Sequence, residues 1–172
     1  MATLRRFERC WTLFQDFYRS TQRWQFPAGG GTLSDVIWGE NDVAFHLGRF
    51  CAAEFGLDWV HFEVTGLGGP IPDLVITAPE LWTRAVAERK PLTIGKDITL
   101  DLVVEIAIVA GRHPSYSPQK VRNDAEKLQG LVQSGKARLA ALCVLHKIQP
   151  DAGFYGSLKA DFPRVEFFHV SD

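Results

Sequence analysis

The segment that most constrains the fold runs from Leu100 to Val109 and reads LDLVVEIAIV. Its residues are almost all apolar and many are β-branched, which is typical of a strand. A nearly continuous apolar strand is buried on both faces, as strands in the middle of a sheet are. The sequence therefore predicts a central sheet that is covered by helices on both sides.

Hydrophobic periodicity in the rest of the chain predicts the elements around this strand. Helices are expected over residues 3–19, 40–55, 79–90 and 119–133, and strands over residues 59–65, 72–77, 139–146 and 165–170. The last strand is expected at an edge of the sheet. A chain of 172 residues suits one domain. The order of elements predicts an α/β fold of three layers, in which helices flank a mixed central sheet.

Two acids stand out because of their positions in these strands. Glu105 lies inside the most apolar strand, and Asp73 lies at the start of the strand expected over residues 72–77. Burial of an ionised carboxylate is costly unless the group has a partner. A metal ion is one such partner, and an ion pair with Lys120 or Arg122 is the structural alternative.

Other features narrow the class of protein. Cys10, Cys51 and Cys143 are far apart and include no CxxC pair, which argues against a disulfide framework and a zinc site. We expect buried thiols and a cytoplasmic protein. No apolar run approaches the roughly 20 residues of a membrane span, so no membrane association is expected. The chain has no G-x-S-x-G motif that would indicate a serine nucleophile.

The arrangement of these acids resembles the signature of the PD-(D/E)XK nuclease superfamily. Pro72-Asp73 is followed by Glu105-Ile106-Ala107 in a hydrophobic strand, and Glu40 opens an earlier helix. The helix after the Glu105 strand contains a D-x-x-K-L sequence from Asp124 to Leu128, and another apolar strand follows it. The resemblance covers a core of about 40–146, with the helix over 3–19 as an addition, and implies a restriction-endonuclease-like fold.

The resemblance implies a site for Mg²⁺ or Mn²⁺, held by Asp73, Glu105 and the main-chain carbonyl of Ile106. Glu40 would be an auxiliary acid. The family carries a lysine two residues after the glutamate, where this chain has Ala107. Three interpretations stay open: Lys120 (or next Lys127) has taken over the role, the protein is a natural inactive relative, or Ala107 is an engineered substitution.

The function implied is metal-dependent hydrolysis of phosphodiester bonds, with DNA as the favoured substrate and prokaryotic defence or restriction as the expected role. The alternative is an inactive module of the same fold that binds nucleic acid or a protein partner. Basic residues expected beside the site are Arg112, His113, Lys120 and Arg122. The net charge of −1 lowers the expected non-specific affinity for nucleic acid. Because the chain is small and shows no separate DNA-reading domain, we expect a homodimer or a protein partner to supply specificity.

Overall fold

A computed structural model describes residues 2–21, 39–78, 83, 87, 99–110 and 117–171. The helices within these residues are α1 (Ala2–Thr21), α2 (Glu40–Phe55), α3 (Pro118–Gln133) and α4 (Phe154–Asp161). The strands are β1 (Val60–Phe62), β2 (Leu74–Ile76), β3 (Leu100–Val109), β4 (Ala137–His146) and β5 (Val165–Ser171). A short 3₁₀ turn, Leu57–Trp59, precedes β1.

The five strands form one sheet in the order β1-β2-β3-β4-β5. β2 runs antiparallel to both β1 and β3, whereas β3, β4 and β5 run parallel to one another. The sheet is therefore mixed, and β3 lies at its centre as its apolar sequence predicted. β5 lies at an edge, also as predicted.

Alternate side chains of β3 pack into different layers of the fold. Leu102, Val104, Ile106 and Ile108 pack into the core that contains the apolar residues of α1 and α2. Val103, Ala107 and Val109 belong to a second core, with residues of α3 and α4. The predicted α/β fold with helices on both faces of a mixed sheet is confirmed.

Helix α2 has the predicted bounds because residues at both ends stop it. At its start the backbone N–H of Gly39 donates to Asp42 Oδ2 at 2.9 Å, which closes one half of a capping box. At its end Gly56 adopts a φ of +100°, a conformation that glycine tolerates best. Glu40 is thus fixed at the first position of the helix.

The prediction of a strand over residues 59–65 was too long, because β1 spans only Val60–Phe62. The 3₁₀ turn occupies the residues before it, and Glu63 adopts a φ of +47°, which ends the extended conformation. Phe62, at the end of β1, is 48% exposed. β1 is the other edge strand of the sheet, so one side of the Phe62 ring stays exposed to solvent.

The other sequence predictions concern β2, the helix over residues 79–90, the cysteines and membrane spans. β2 is shorter than predicted, and Asp73 immediately precedes it. The helix expected over 79–90 lies outside the described residues, apart from Thr83 and Ala87, which are helical. The three cysteines are free and buried, as predicted. Each helix in the described part of the chain is too short or too polar to cross a membrane.

Candidate metal centre between β2, β3 and α3

The antiparallel pairing of β2 with β3 places Asp73 beside Glu105. Leu74 is the register partner of Val104, so the residue before Leu74 faces the residue after Val104. Asp73 Oδ2 accepts a hydrogen bond of 2.6 Å from the backbone N–H of Ile106. The two acids therefore lie side by side on one face of the sheet.

Both carboxyl groups have a pKa above its ordinary value. Burial, together with the nearby carboxylates of Asp73 and Asp124, raises the pKa of Glu105 to about 8. Burial also raises the pKa of Asp73, although the N–H of Ile106 partly opposes this shift. The Glu105 side chain is only 6% exposed. At Glu105, burial and like charge therefore outweigh the attraction of the nearby Lys127 and Lys120.

Helix α3 brings three charged side chains to this face of the sheet. Lys120 Nζ lies 2.7 Å from Asp124 Oδ2, and Lys127 Nζ lies 2.8 Å from Asp124 Oδ1. These residues are three or four positions apart, so they share one side of the helix. Asp124 is 2% exposed and bridges the two ammonium groups.

The ammonium of Lys120 reaches beyond its own helix. It lies 2.9 Å from Glu40 Oε1 at the start of α2 and 3.3 Å from the carbonyl oxygen of Ile106 in β3. Burial alone would lower the pKa of Lys120, but hydrogen bonds to Asp124 and Glu40 outweigh it and raise this pKa. Lys120 is therefore held as a cation next to the acid pair.

An open cavity of about 480 Å³ lies over these groups. It is lined by Glu40, Ile71, Glu105, Lys120, Asn123, Asp124 and Lys127. Together with the adjacent Asp73, the described residues here supply four carboxyl and two ammonium groups, a formal charge of −2 when all are ionised. One divalent cation would balance that charge.

The donors present fit a hard divalent ion. Carboxylate oxygens of Asp73 and Glu105 and the carbonyl of Ile106 are the ligand types that Mg²⁺ and Mn²⁺ prefer. Mg²⁺ is commonly held by one or two carboxylates while it keeps several waters, so two acids suffice. Within the described ranges no group of three or more His, Cys, Asp or Glu side chains is arranged to hold a metal. The candidate centre rests on the two acids and the carbonyl.

The other predicted site residues are placed differently. Ala107 is fully buried in the core on the α3 side of the sheet, below Glu105 on the same strand face. Arg122 is not at the cavity, because its guanidinium pairs with Asp161 Oδ2 at 2.7 Å and donates to Ser157 Oγ on α4. Arg112 and His113 lie outside the described residues.

Sequence reasoning did not assign a role to Asp124, although it noted the D-x-x-K-L sequence that contains this residue. The spacing of Lys120, Asp124 and Lys127 along a helix could have shown that the acid would pair with both lysines. It also did not find the exposed aromatic rings of Phe45 and Phe62 next to Asp73.

Comparison with known proteins adds no relative, because no protein-family model, curated protein or solved structure matches this chain.

Proposed function

We propose that this chain is a metal-dependent nuclease that hydrolyses phosphodiester bonds, with DNA as its expected substrate. The observation that carries the proposal is the adjacent pair of acids, the half-buried Asp73 and the buried Glu105, beside an open cavity lined by further charged side chains. Burial of acids is costly, and carboxyl groups whose pKa is shifted by burial and neighbouring charge cluster at functional sites.

The proposed roles follow from the positions of the groups. Asp73, Glu105 and the Ile106 carbonyl would hold one Mg²⁺ or Mn²⁺. The bound ion would supply Lewis-acid stabilisation of negative charge at the phosphate. The N–H of Ile106 donates to Asp73 Oδ2 and holds this carboxyl group beside Glu105.

Lys120 is the proposed replacement for the lysine that is missing at Ala107. Its ammonium lies 3.3 Å from the carbonyl oxygen of Ile106, next to the proposed metal ligands. Because its pKa is raised, it acts as a fixed positive charge and not as a base. Such a charge stabilises the extra negative charge that develops on phosphate oxygens during attack. Glu40 and Asp124 hold the ammonium in place.

The resemblance to PD-(D/E)XK nucleases supports the same function. The described elements follow the order that the resemblance implies, with a helix that starts at Glu40, strands that bring Asp73 and Glu105 together, and then α3 and β4. A role in prokaryotic defence, with specificity from a homodimer or a protein partner, belongs to this proposal.

A second candidate function is an inactive module of this fold that binds without cleaving. The burial of Ala107 favours it, because the strand offers neither the family lysine nor an open space for one. The two candidates differ in whether the acid pair supports turnover.

The test is a cleavage time course with Mg²⁺ or Mn²⁺ on plasmid, linear duplex, single-stranded DNA and RNA. We expect cleavage by the wild type, and a loss of about 100-fold or more in Asp73→Asn and Glu105→Gln. The matched control is Glu126→Gln, an exposed acid on α3 that does not line the cavity. Absence of cleavage on every substrate, in a protein that binds nucleic acid, would favour the inactive module.

A further inference from the structure

A second cavity adjoins the candidate metal centre and shares Asp73 with it. Its volume is about 180 Å³. It is lined by Asn41, Ala44, Phe45, Phe62, Glu63 and Asp73. A group placed in this cavity would therefore be a close neighbour of a group bound at the acid pair.

Two aromatic rings dominate this second cavity and are unusually open to solvent. Phe45, on α2, is 59% exposed and Phe62, on β1, is 48% exposed. Large apolar side chains that line a cavity and stay exposed mark binding surfaces more often than single scattered ones do.

The ring of Phe62 depends on a glycine beneath it. A Cβ at Gly48 of α2 would lie 2.3 Å from Cζ of Phe62, which is far inside van der Waals contact. Only glycine lets the tip of this ring lie directly against the helix. Glycine inside a helix is unfavourable by itself, but at position 48 it leaves room for the Phe62 ring beside α2.

We infer that this cavity receives an unpaired base of the substrate strand, so that the substrate is single-stranded or locally unpaired nucleic acid. The inference rests on the proposed function, because Asp73 connects the base cavity to the phosphodiester site. Aromatic side chains stack on bases of any sequence. An apolar cavity of about 150 Å³ accommodates benzene, so the space here suits one heteroaromatic ring system.

Three further observations favour a base over a protein side chain as the occupant. Asn41 and Glu63 place polar groups at the rim, where base edges offer donors and acceptors. Asp73 lines this cavity and also belongs to the candidate metal centre, so the two sites adjoin as the base and phosphate of one nucleotide do. The chain also has a net charge of −1, so stacking must replace part of the missing electrostatic attraction to a nucleic-acid backbone.

The test measures binding and not cleavage. The probe is a fluorescein-labelled single strand of about 12 nucleotides, within the usual range of site sizes for single-strand binding. Fluorescence anisotropy is recorded with Ca²⁺ in place of Mg²⁺, and the probe is checked for cleavage afterwards. The same strand with abasic sites and a blunt duplex of the same sequence serve as comparisons.

We expect Phe45→Ala and Phe62→Ala each to weaken single-strand binding by about 5- to 100-fold, the range for loss of one base–aromatic stack. Phe45→Trp should retain binding, because it keeps an aromatic face. Leu13→Ala, at an exposed apolar residue of α1 outside the cavity, should leave binding unchanged. The abasic strand should bind as weakly to the wild type as the intact strand does to Phe62→Ala.

Equal binding of intact and abasic strands, or of single strand and blunt duplex, would overturn the inference. So would a dimer in light scattering that dissociates in Phe45→Ala, since a second copy of the chain would then cover the cavity. Base-dependent binding without any cleavage would defeat the proposed hydrolysis and leave the inference intact. Duplex cleavage that neither Phe45→Ala nor Phe62→Ala affects would support the proposed hydrolysis and overturn the inference of a base cavity.

Discussion

Lys120 joins three elements of the fold through one ammonium group. It pairs with Glu40 of α2 and Asp124 of α3, and it donates to the Ile106 carbonyl of β3. Charge-assisted hydrogen bonds of this kind are stronger than neutral ones and fix the geometry of the group that makes them. The residue is thus both a structural pairing partner and the proposed electrostatic group of the reaction.

Replacement of Lys120 by methionine separates these two roles. We expect Lys120→Met to lower kcat by about 10²–10³-fold, as loss of one preorganised electrostatic group does. Divalent-ion binding should persist, because Lys120 is not a proposed ligand. Lys159→Met, at an exposed lysine of α4, is the matched control and should retain full activity. The measurement is steady-state cleavage alongside a metal titration by calorimetry.

An unchanged kcat in Lys120→Met, with a lowered thermal midpoint, would show that the lysine only stabilises the fold. A parallel loss of metal binding would also contradict the account, since it would make the ammonium part of the metal centre.

Some of these residues could be predicted from the sequence and others could not. Glu105 was identifiable because an acid inside a buried strand needs a partner, whatever the surrounding fold. The contact of Lys120 with Ile106 depends on how α3 packs over β3, which no local pattern encodes. The face shared by Glu105 and Ala107 followed from strand geometry, but the complete burial of Ala107 follows from side chains of distant elements.

At the scale of elements, α2 and β1 meet through Gly48 and Phe62. An alanine at position 48 would contact the tip of the Phe62 ring, which can rotate away because it ends a flexible side chain. The backbone of α2 gains helix propensity from the same change. Stability and ligand binding are thus expected to respond in different ways.

We predict that Gly48→Ala weakens single-strand binding about as much as Phe62→Ala does, while the thermal midpoint stays near that of the wild type. Gly130→Ala in α3 is the matched control, because a Cβ there has no neighbour within 4 Å. That control should gain up to about 1 kcal/mol of stability, the alanine–glycine difference in a helix, and bind normally. Anisotropy and thermal unfolding of the same samples provide both measurements.

Normal binding by Gly48→Ala would contradict the role given to the Phe62 ring. A large drop of the thermal midpoint would instead mean that the ring cannot move aside.

The bounds of elements were predictable where strong local signals mark them. Helix α2 begins with a capping residue pair and ends at Gly56, and β3 is defined by its continuous apolar run. The limits of β1 were not predictable, because the φ of +47° at Glu63 has no clear sequence signal in a residue of this type. The exposure of Phe62 depends on β1 being an edge strand, which is a property of the whole sheet.

At the scale of the whole molecule, the site is formed where both helical layers meet the sheet. Glu40 comes from the layer of α1 and α2, and Lys120 comes from the layer of α3 and α4. Their ion pair of 2.9 Å connects the two layers beside the acid pair of β2 and β3. The chain as a whole is nearly neutral, so the charge of this cavity is a local property and not a consequence of overall composition.

The three-layer architecture was predictable as a class because alternating helical and strand patterns leave few arrangements. The ion pair between Glu40 and Lys120 that connects the two layers was not predictable. These residues are about 80 positions apart in the chain, and no local sequence pattern relates them.

The central claim is that Asp73 and Glu105 form a centre for one divalent ion, and calorimetric titration of Mn²⁺ into the metal-free protein tests it most directly. We predict one ion per chain for the wild type and for Glu126→Gln, and no saturable binding for Asp73→Asn or Glu105→Gln. Thermal unfolding should confirm that all four proteins are folded. Undiminished binding in both Asp73→Asn and Glu105→Gln, or no binding by the folded wild type, would contradict the account.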